Sequence, residues 1–254
     1  TAFKSNYLNE IFYYISCYMA FFEPVRWRYS HFVHHGNTYS TENPYDHEIE
    51  YGNDLKKTFP NLLREIIPFG NLIFIHKDIT FEIIKHSLGI ETKVMKDCIP
   101  DKVKNKSILI SRLYVTIWVS LIFFSIYINS ILPIMYFVLP HFYGKTLHKI
   151  VSFTQHAGLA RNIKDHRLTS REMYLNPILS FLYWKMEYHL THHMFPTIPS
   201  YNLDKLHHHI KDQLPRTNTG LIDAYREIIP ALLRQSKDED YYLKKTLPQF
   251  DRVY

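Results

Sequence analysis

One histidine pattern occurs twice in this sequence, at two places far apart along the chain. Each copy has the form His-x-x-His-His, and the copies are His31-His34-His35 and His189-His192-His193. Positions i, i+3 and i+4 of an α-helix lie on one face, so each copy directs three imidazoles at a common patch. Imidazole is a favoured ligand of iron, copper, nickel and zinc. Two chance copies are not expected from 16 histidines in 254 residues, so we interpret the pattern as metal-binding rather than as a histidine-rich surface.

A long uncharged stretch is the second constraint on the fold. Between Arg112 and His141, 28 consecutive residues contain no charged side chain and no histidine. About 20 residues are enough for a helix to cross a bilayer. Because polar residues and a proline interrupt the stretch near its middle, we predict two helices, 106–127 and 130–149, that form a membrane-embedded hairpin. A buried hairpin of a soluble protein and a single long span are the alternatives.

Basic residues lie at both outer ends of this predicted hairpin, and its turn has none. The positive-inside rule therefore places both ends, and with them both histidine patterns, on the cytosolic side. The net charge is +6. Because the basic residues flank apolar spans, we expect this charge to attract anionic lipid headgroups rather than nucleic acid.

Several other classes of protein lack their motifs in this chain. No Glu-x-x-His occurs, so the motif of carboxylate-bridged di-iron bundles is missing. His47-Glu48 is not followed by a histidine at the spacing of a zinc protease. Cys17 and Cys98 have no metal-like spacing and imply no disulfide framework.

Three histidine-bearing segments resemble those of the membrane fatty-acid desaturase superfamily. Residues 27–35 resemble its second histidine box, and residues 187–196, with their trailing Phe-Pro, resemble its last box. Residues 154–159, which contain His156, resemble the isolated histidine segment between them. The resemblance extends from Thr1 to about residue 214.

The resemblance implies a non-haem di-iron centre with O₂ as co-substrate. The ligands it implies are His31, His34, His35, His156, His189, His192 and His193. The implied fold is all-α, with the membrane-embedded hairpin at about 106–149 and a cytosolic helical cap that carries the histidine boxes. Residues 23–105 and 150–254 are then cytosolic or lie at the membrane interface. The whole chain, 1–254, is then one desaturase-like domain of an integral membrane protein. Its active site faces the cytosol, at the bacterial inner membrane or the endoplasmic reticulum.

The implied activity is introduction of a double bond into an acyl chain of a lipid. A hydroxylase on the same scaffold and an inactive metal-binding membrane fragment are the alternatives. The chain has no haem-type His-Pro-Gly-Gly segment, no cysteine cluster and no glycine-rich dinucleotide loop. Electrons are therefore expected from an external donor of the ferredoxin or cytochrome b5 type.

The chain departs from the family pattern in one respect. Members also have an earlier box of the type His-x-x-x-His, whereas no histidine precedes His31, and the first residue is Thr1. We therefore expect the chain to begin just after its own first box, and we expect these 254 residues to be inactive without it.

Second-layer partners of the histidines are harder to identify from sequence. The polar residues near the boxes are Gln155, Asp165, Glu187 and Asp204. His207, His208 and His209 diverge by about 100° each on a helix and cannot bind one ion together. His141, His148 and His166 are interpreted as structural, and the acidic segment 41–54 as a surface loop.

Overall fold

Helices joined by loops make up the part of the chain that its computed structural model describes, which is residues 3–49, 55–74 and 78–248. These residues contain no strand, only one isolated bridge between Met173 and Asn218, so the all-α prediction is confirmed. The helices are α1 (Asn6–Met19), α2 (Pro24–Gly36), α3 (Leu55–Ile66), α4 (Gly70–Ile73), α5 (Ile79–Ser87), α6 (Lys93–Cys98), α7 (Asp101–Tyr127), α8 (Leu132–Phe137), α9 (Pro140–Tyr143), α10 (Thr146–Ser152), α11 (His166–Thr169), α12 (Pro177–Leu182), α13 (His189–Met194), α14 (Leu203–Ile210) and α15 (Leu221–Gln235).

The described residues group into two compact units. The apolar unit comprises 3–33, 60–74 and 78–149, and the histidine unit comprises 34–49, 55–59 and 150–248. The boundaries between the units fall inside α2, α3 and α10.

The longest helix of the apolar unit, α7, has a packed face of mixed polarity, whose Ile110, Tyr114 and Trp118 belong to the hydrophobic core, and an apolar exposed face. Its 27 residues extend for about 40 Å, more than the roughly 30 Å of hydrocarbon in a bilayer. Buried on one face are Ser107, Ile110, Ser111, Tyr114, Trp118 and Ser125. Exposed on the other are Leu109, Leu113, Ile122, Phe123 and Ile126. Of the helices in the described ranges, α7 is the one long and apolar enough to cross a membrane.

The second arm of the predicted hairpin, 130–149, is not one helix, and this prediction is wrong. After a turn at 128–131, in which Asn129 has a φ of 51°, the chain forms the short helices α8, α9 and α10. Pro133 and Pro140 lie in the first turns of α8 and α9, where proline is tolerated, whereas inside a longer helix each would remove a hydrogen bond. The six residues of α8 extend only about 9 Å. By itself, α8 is too short for a second full crossing.

Glu23 fixes the start of α2, the helix that carries the first histidine pattern. Its carboxylate accepts hydrogen bonds from the backbone N–H groups of Val25 at 2.9 Å and Arg26 at 2.7 Å, which the first turn of a helix leaves without helical partners. The Ser107 hydroxyl on α7 donates to the same carboxylate at 2.6 Å. One buried side chain therefore caps α2 and ties it to α7.

A second buried polar group of the apolar unit surrounds Asp78. His141 bonds to Asp78 through Nε2 at 2.8 Å, and Lys145 lies 3.1 Å from the other carboxylate oxygen. The His141 ring stacks on Phe21, whose ring also stacks on Trp118. His141 is thus held by protein groups, in agreement with its structural interpretation.

His86 should make the stability of the metal-free protein depend on pH. It is 1% exposed and bonds to Thr92 at 2.8 Å, and its burial lowers its pKa from 6.5 to about 4. Because the unfolded chain takes up the proton first, this contribution to stability is complete above pH 6.5 and is lost towards pH 4, by at most about 3 kcal/mol. We expect the unfolding temperature of His86→Gln to fall less between pH 7 and pH 4.5 than that of the wild type. The exposed His209→Gln serves as the control, and equal falls for wild type and His86→Gln would contradict the prediction.

Candidate metal centre

Six of the seven predicted ligands lie in the histidine unit. His34 and His35 are in the last turn of α2, and α13 carries His189, His192 and His193. His156 directly follows the short 3₁₀ helix Phe153–Gln155. His31, in the part of α2 that belongs to the apolar unit, stands one turn before His35 on the same face of that helix.

Four of these histidines form a buried group, which we call the inner cluster: His34, His156, His189 and His193. One ring nitrogen from each lies within 4.8 Å of those of the others. Nε2 of His189 is 2.8 Å from Nε2 of His156 and 2.9 Å from Nε2 of His193. Two ligands at right angles, each about 2.1 Å from an ion, would be about 3 Å apart. The inner cluster therefore has the spacing of a metal site.

Hydrogen bonds at the outer nitrogens determine which ring nitrogens point inward with a free lone pair. Nδ1 of His34 bonds to Asp46 at 2.8 Å, and Nδ1 of His156 bonds to the Thr169 carbonyl at 2.8 Å. Nδ1 of His193 bonds to the Thr38 hydroxyl at 3.1 Å. The Thr38 hydroxyl already donates to the His34 carbonyl, so it accepts from His193. All three partners are acceptors, hence each Nδ1 carries the proton and each Nε2 presents a lone pair.

His189 shows that these lone pairs need a cation. Its Nε2 faces the lone pairs of His156 and His193, and one proton at that atom would satisfy only one of them. Its buried Nδ1 has no hydrogen-bond partner among the described residues. A positive ion bound by the Nε2 atoms would satisfy all of them, so the inner cluster fits a metal ion.

The electrostatics keep most of the inner cluster in the neutral form that binds metals. Burial lowers the pKa of His156 to about 3 and holds those of His189 and His193 well below the usual value of 6.5. Burial alone would also lower the pKa of His34, but the hydrogen bond and charge of Asp46 outweigh it and raise that pKa. Asp46 itself stays ionised, because the bond to His34 lowers its pKa despite burial. His156, His189 and His193 are therefore neutral, and His34 is bonded to the ionised Asp46 carboxylate.

A second, half-buried group of rings adjoins the inner cluster. The ring centroids of His35 and His192 are 4.6 Å apart, and that of His35 is 4.4 Å from His193. The histidine unit thus brings together all six of its predicted ligands.

Asp46, the hydrogen-bond partner of His34, was not predicted from the sequence. It lies in the segment 41–54, interpreted as a surface loop; residues 50–54 lie outside the described ranges, but Asp46 is 1% exposed. Its carboxylate also accepts from the backbone N–H groups of Tyr39 and Glu48. In sequence, Asp46 is indistinguishable from the other polar residues of an acidic loop.

The four partners suggested by proximity in sequence bond elsewhere. Gln155 donates to Tyr183, Asp165 caps α11 and pairs with Arg167, Glu187 accepts from Ser180, and Asp204 pairs with Lys185. The expectation for the three consecutive histidines holds, because His207 is buried and bonds to Glu172 while His208 and His209 are exposed.

Comparison with known proteins agrees with this geometry. The family profile described as fatty acid desaturase matches residues 1–225, a range that includes all seven predicted ligands. No curated protein and no solved structure gave a match.

Removal of an inner ligand should abolish tight metal binding. His193 adjoins His34, His35, His156 and His189, so His193→Ala is expected to weaken Co²⁺ binding by at least about 100-fold, the upper range for loss of an outer partner alone. Titration followed by visible absorption measures this. The exposed His208→Ala is the matched control, and unchanged affinity in His193→Ala would contradict the assignment.

Asp46→Asn should weaken the site without removing a ligand. The amide keeps the shape of the side chain but loses the negative charge that supports His34, so we expect a loss of Co²⁺ affinity of about 10–100-fold. Glu42→Gln, an exposed neutralisation in the same loop, should leave the affinity unchanged. Equal affinities of the two variants would show that Asp46 does not act on the metal.

Proposed function

Because the chain belongs to the fatty acid desaturase family, we propose that it is an O₂-dependent oxidoreductase that introduces a double bond into the acyl chain of a lipid. The observation that carries this proposal is the inner cluster, in which inward Nε2 atoms converge while protein acceptors hold the outward Nδ1 protons. Such an arrangement serves a metal and has no other evident use in a protein interior.

We propose two non-haem iron ions as the metals. The inner cluster would hold one, and His35 and His192 would contribute to the other. His31, one helical turn before His35 on α2, stays a predicted ligand. Iron, when bound, supplies the O₂ activation and C–H oxidation that no side chain performs alone. The family membership favours iron over the other metals that imidazole binds.

The protein's own contribution is to fix the rings before the metal arrives. Asp46, the Thr169 carbonyl and Thr38 each hold one Nδ1 proton. These bonds prevent the rings from changing tautomer or turning their lone pairs away. The ligand set therefore needs little rearrangement to bind an ion.

Exclusion of water is the second contribution. Leu159, Ala160 and Leu190, which lie close to His156 and His189 along the chain, are almost completely buried. A dry site strengthens electrostatic interactions and prevents side reactions of reactive species with water. This is the environment that oxidation of an unactivated C–H bond requires.

We propose that the enzyme is an integral membrane protein with α7 as a crossing helix. Supporting this are the exposed apolar face of α7 and the bilayer as the source of acyl chains. Lys102, Lys104, Lys106 and Arg112 lie in the first half of α7, and no charged residue follows within it, which favours a cytosolic N-terminal end. Because His34 precedes α7 and clusters with His156, His189 and His193, which follow it, this topology requires the chain to return to the cytosolic side after α7, through α8, α9 and α10. The histidines would then lie on the cytosolic side of a bacterial inner membrane or the endoplasmic reticulum, within reach of a ferredoxin or cytochrome b5-type electron donor.

Lipid analysis of cells tests the reaction. The gene, expressed from its natural start codon, should produce a new double bond in cellular acyl chains, detected by gas chromatography and mass spectrometry. His189→Ala should produce none, because it removes a ligand of the inner cluster. A new hydroxyl group instead would identify a hydroxylase, and oxidation of a small polar metabolite alone would refute the acyl-chain substrate.

A further inference from the structure

Two adjacent charged residues, Arg171 and Glu172, are buried between the isolated histidine segment and the last histidine box. They are 3% and 4% exposed, although neither belongs to the predicted ligand set. Charged side chains are rarely buried unless they are paired and hydrogen-bonded. Their partners show what each of them holds in place.

Arg171 fixes the backbone on both sides of His156. Its guanidinium Nη1 donates to the carbonyls of Thr154 and Ala157, the second at 3.0 Å. Its backbone N–H donates to the Gln155 carbonyl at 2.8 Å. The His156 ring bonds to the Thr169 carbonyl, two residues before Arg171. One short segment therefore holds both the ring and the turn that carries it.

Residues near the end of the chain support Arg171 in this position. Glu227 on α15 lies 3.6 Å from Arg171 Nε and also binds Lys245 at 2.6 Å. Burial lowers the pKa of Arg171 to about 10, against the opposing effect of Glu227, so the guanidinium stays charged at neutral pH. Glu227 and Lys245 lie beyond residue 225, where the family match ends.

The same C-terminal region packs directly on the His156 turn. Gly158 has a φ of +77°, and a side chain there would meet the Ala231 side chain on α15 at 2.9 Å. The backbone N–H of Leu243 donates to the Gly158 carbonyl at 2.8 Å. The turn is therefore enclosed by α15 and the segment that follows it.

Glu172 fixes the helix that carries the last histidine box. One carboxylate oxygen accepts from the backbone N–H of Thr191, at 2.7 Å, and from its hydroxyl. Thr191 is the third residue of α13, where a backbone N–H has no partner within the helix. The other oxygen bonds to His207 Nδ1 at 2.8 Å. Glu172 thus caps α13 and links it to α14.

We propose that Arg171 and Glu172 are positioning residues of the metal site, Arg171 for His156 and Glu172 for the histidines of α13. This inference rests on the proposed function, because it assumes that the inner cluster binds a metal. Arg171 acts through the backbone around His156, and Glu172 acts through the backbone of α13. Their loss should change the affinity and geometry of metal binding beyond any effect on folding.

The test compares metal binding and stability in matched variants of the full chain in detergent. Arg171→Met and Glu172→Gln preserve approximate size while removing the charge. The control is Asp78→Asn, which neutralises a buried, hydrogen-bonded carboxylate of the apolar unit. Co²⁺ is the probe, its affinity and ligand-field spectrum are read by visible absorption, and thermal unfolding of the metal-free protein is measured in parallel.

We expect Arg171→Met and Glu172→Gln each to weaken Co²⁺ binding by about 10–100-fold and to alter its spectrum. Asp78→Asn should lower the unfolding temperature but leave both metal readouts unchanged. Arg171→Lys keeps the charge but not the paired donation to two carbonyls, so it should restore only part of the affinity. If Arg171→Met does not fold, Glu227→Gln takes its place and should give a smaller loss of affinity.

Lowered stability with unchanged Co²⁺ affinity and spectrum in the Arg171 (or Glu227) and Glu172 variants would overturn the inference and leave them as structural residues. A wild-type protein that binds no Co²⁺ would overturn the proposed metal site and the inference with it. The two failures are distinguishable, because only the second appears in the wild type.

Discussion

Mutual repulsion among converging imidazole lone pairs is the constraint on which the histidine unit depends. Neutral rings whose Nε2 atoms lie less than 3 Å apart, as that of His189 does from those of His156 and His193, do not stay together by attraction to one another. They stay because each is fixed from outside, by its own chain segment and, for His156 and His193, by an acceptor at Nδ1. The surrounding buried polar network supplies the rigidity that the cluster itself lacks.

The apolar unit shows a complementary distribution of polarity. Where α7 meets its neighbours, serines and the capping carboxylate of Glu23 lie among buried apolar and aromatic residues, as in the Ser107–Glu23 hydrogen bond, whereas the exposed face carries leucines, isoleucines and phenylalanines. Small polar residues at such a face allow helices to approach closely and to form hydrogen bonds with one another. Buried polar groups thus surround the clustered histidines in one unit and join helices in the other.

The sequence reveals the clustered histidines far better than the groups that hold them in place. A ligand pattern such as His189-His192-His193 follows from helical periodicity and residue type, both of which are visible in one sequence. The acceptor of His156 is a backbone carbonyl, which every residue has, and the acceptor of His34 is Asp46, which only the tertiary fold brings to the end of α2. The first arm of the hairpin was predicted almost correctly. The second was not, because hydrophobicity alone does not show that Pro133 and Pro140 each begin a new short helix.

The packing of α15 and the following segment on the His156 turn sets an order on biosynthesis. His34 leaves the ribosome early, and α7 follows before any residue of α13. Glu227, the partner of Arg171, is translated 38 residues after His189. Leu243, the partner of Gly158, is translated more than 50 residues after His189. All the predicted ligands are therefore synthesised before the residues that enclose the His156 turn. Until Glu227 and Leu243 have been synthesised, the His156 turn therefore lacks the contacts that enclose it.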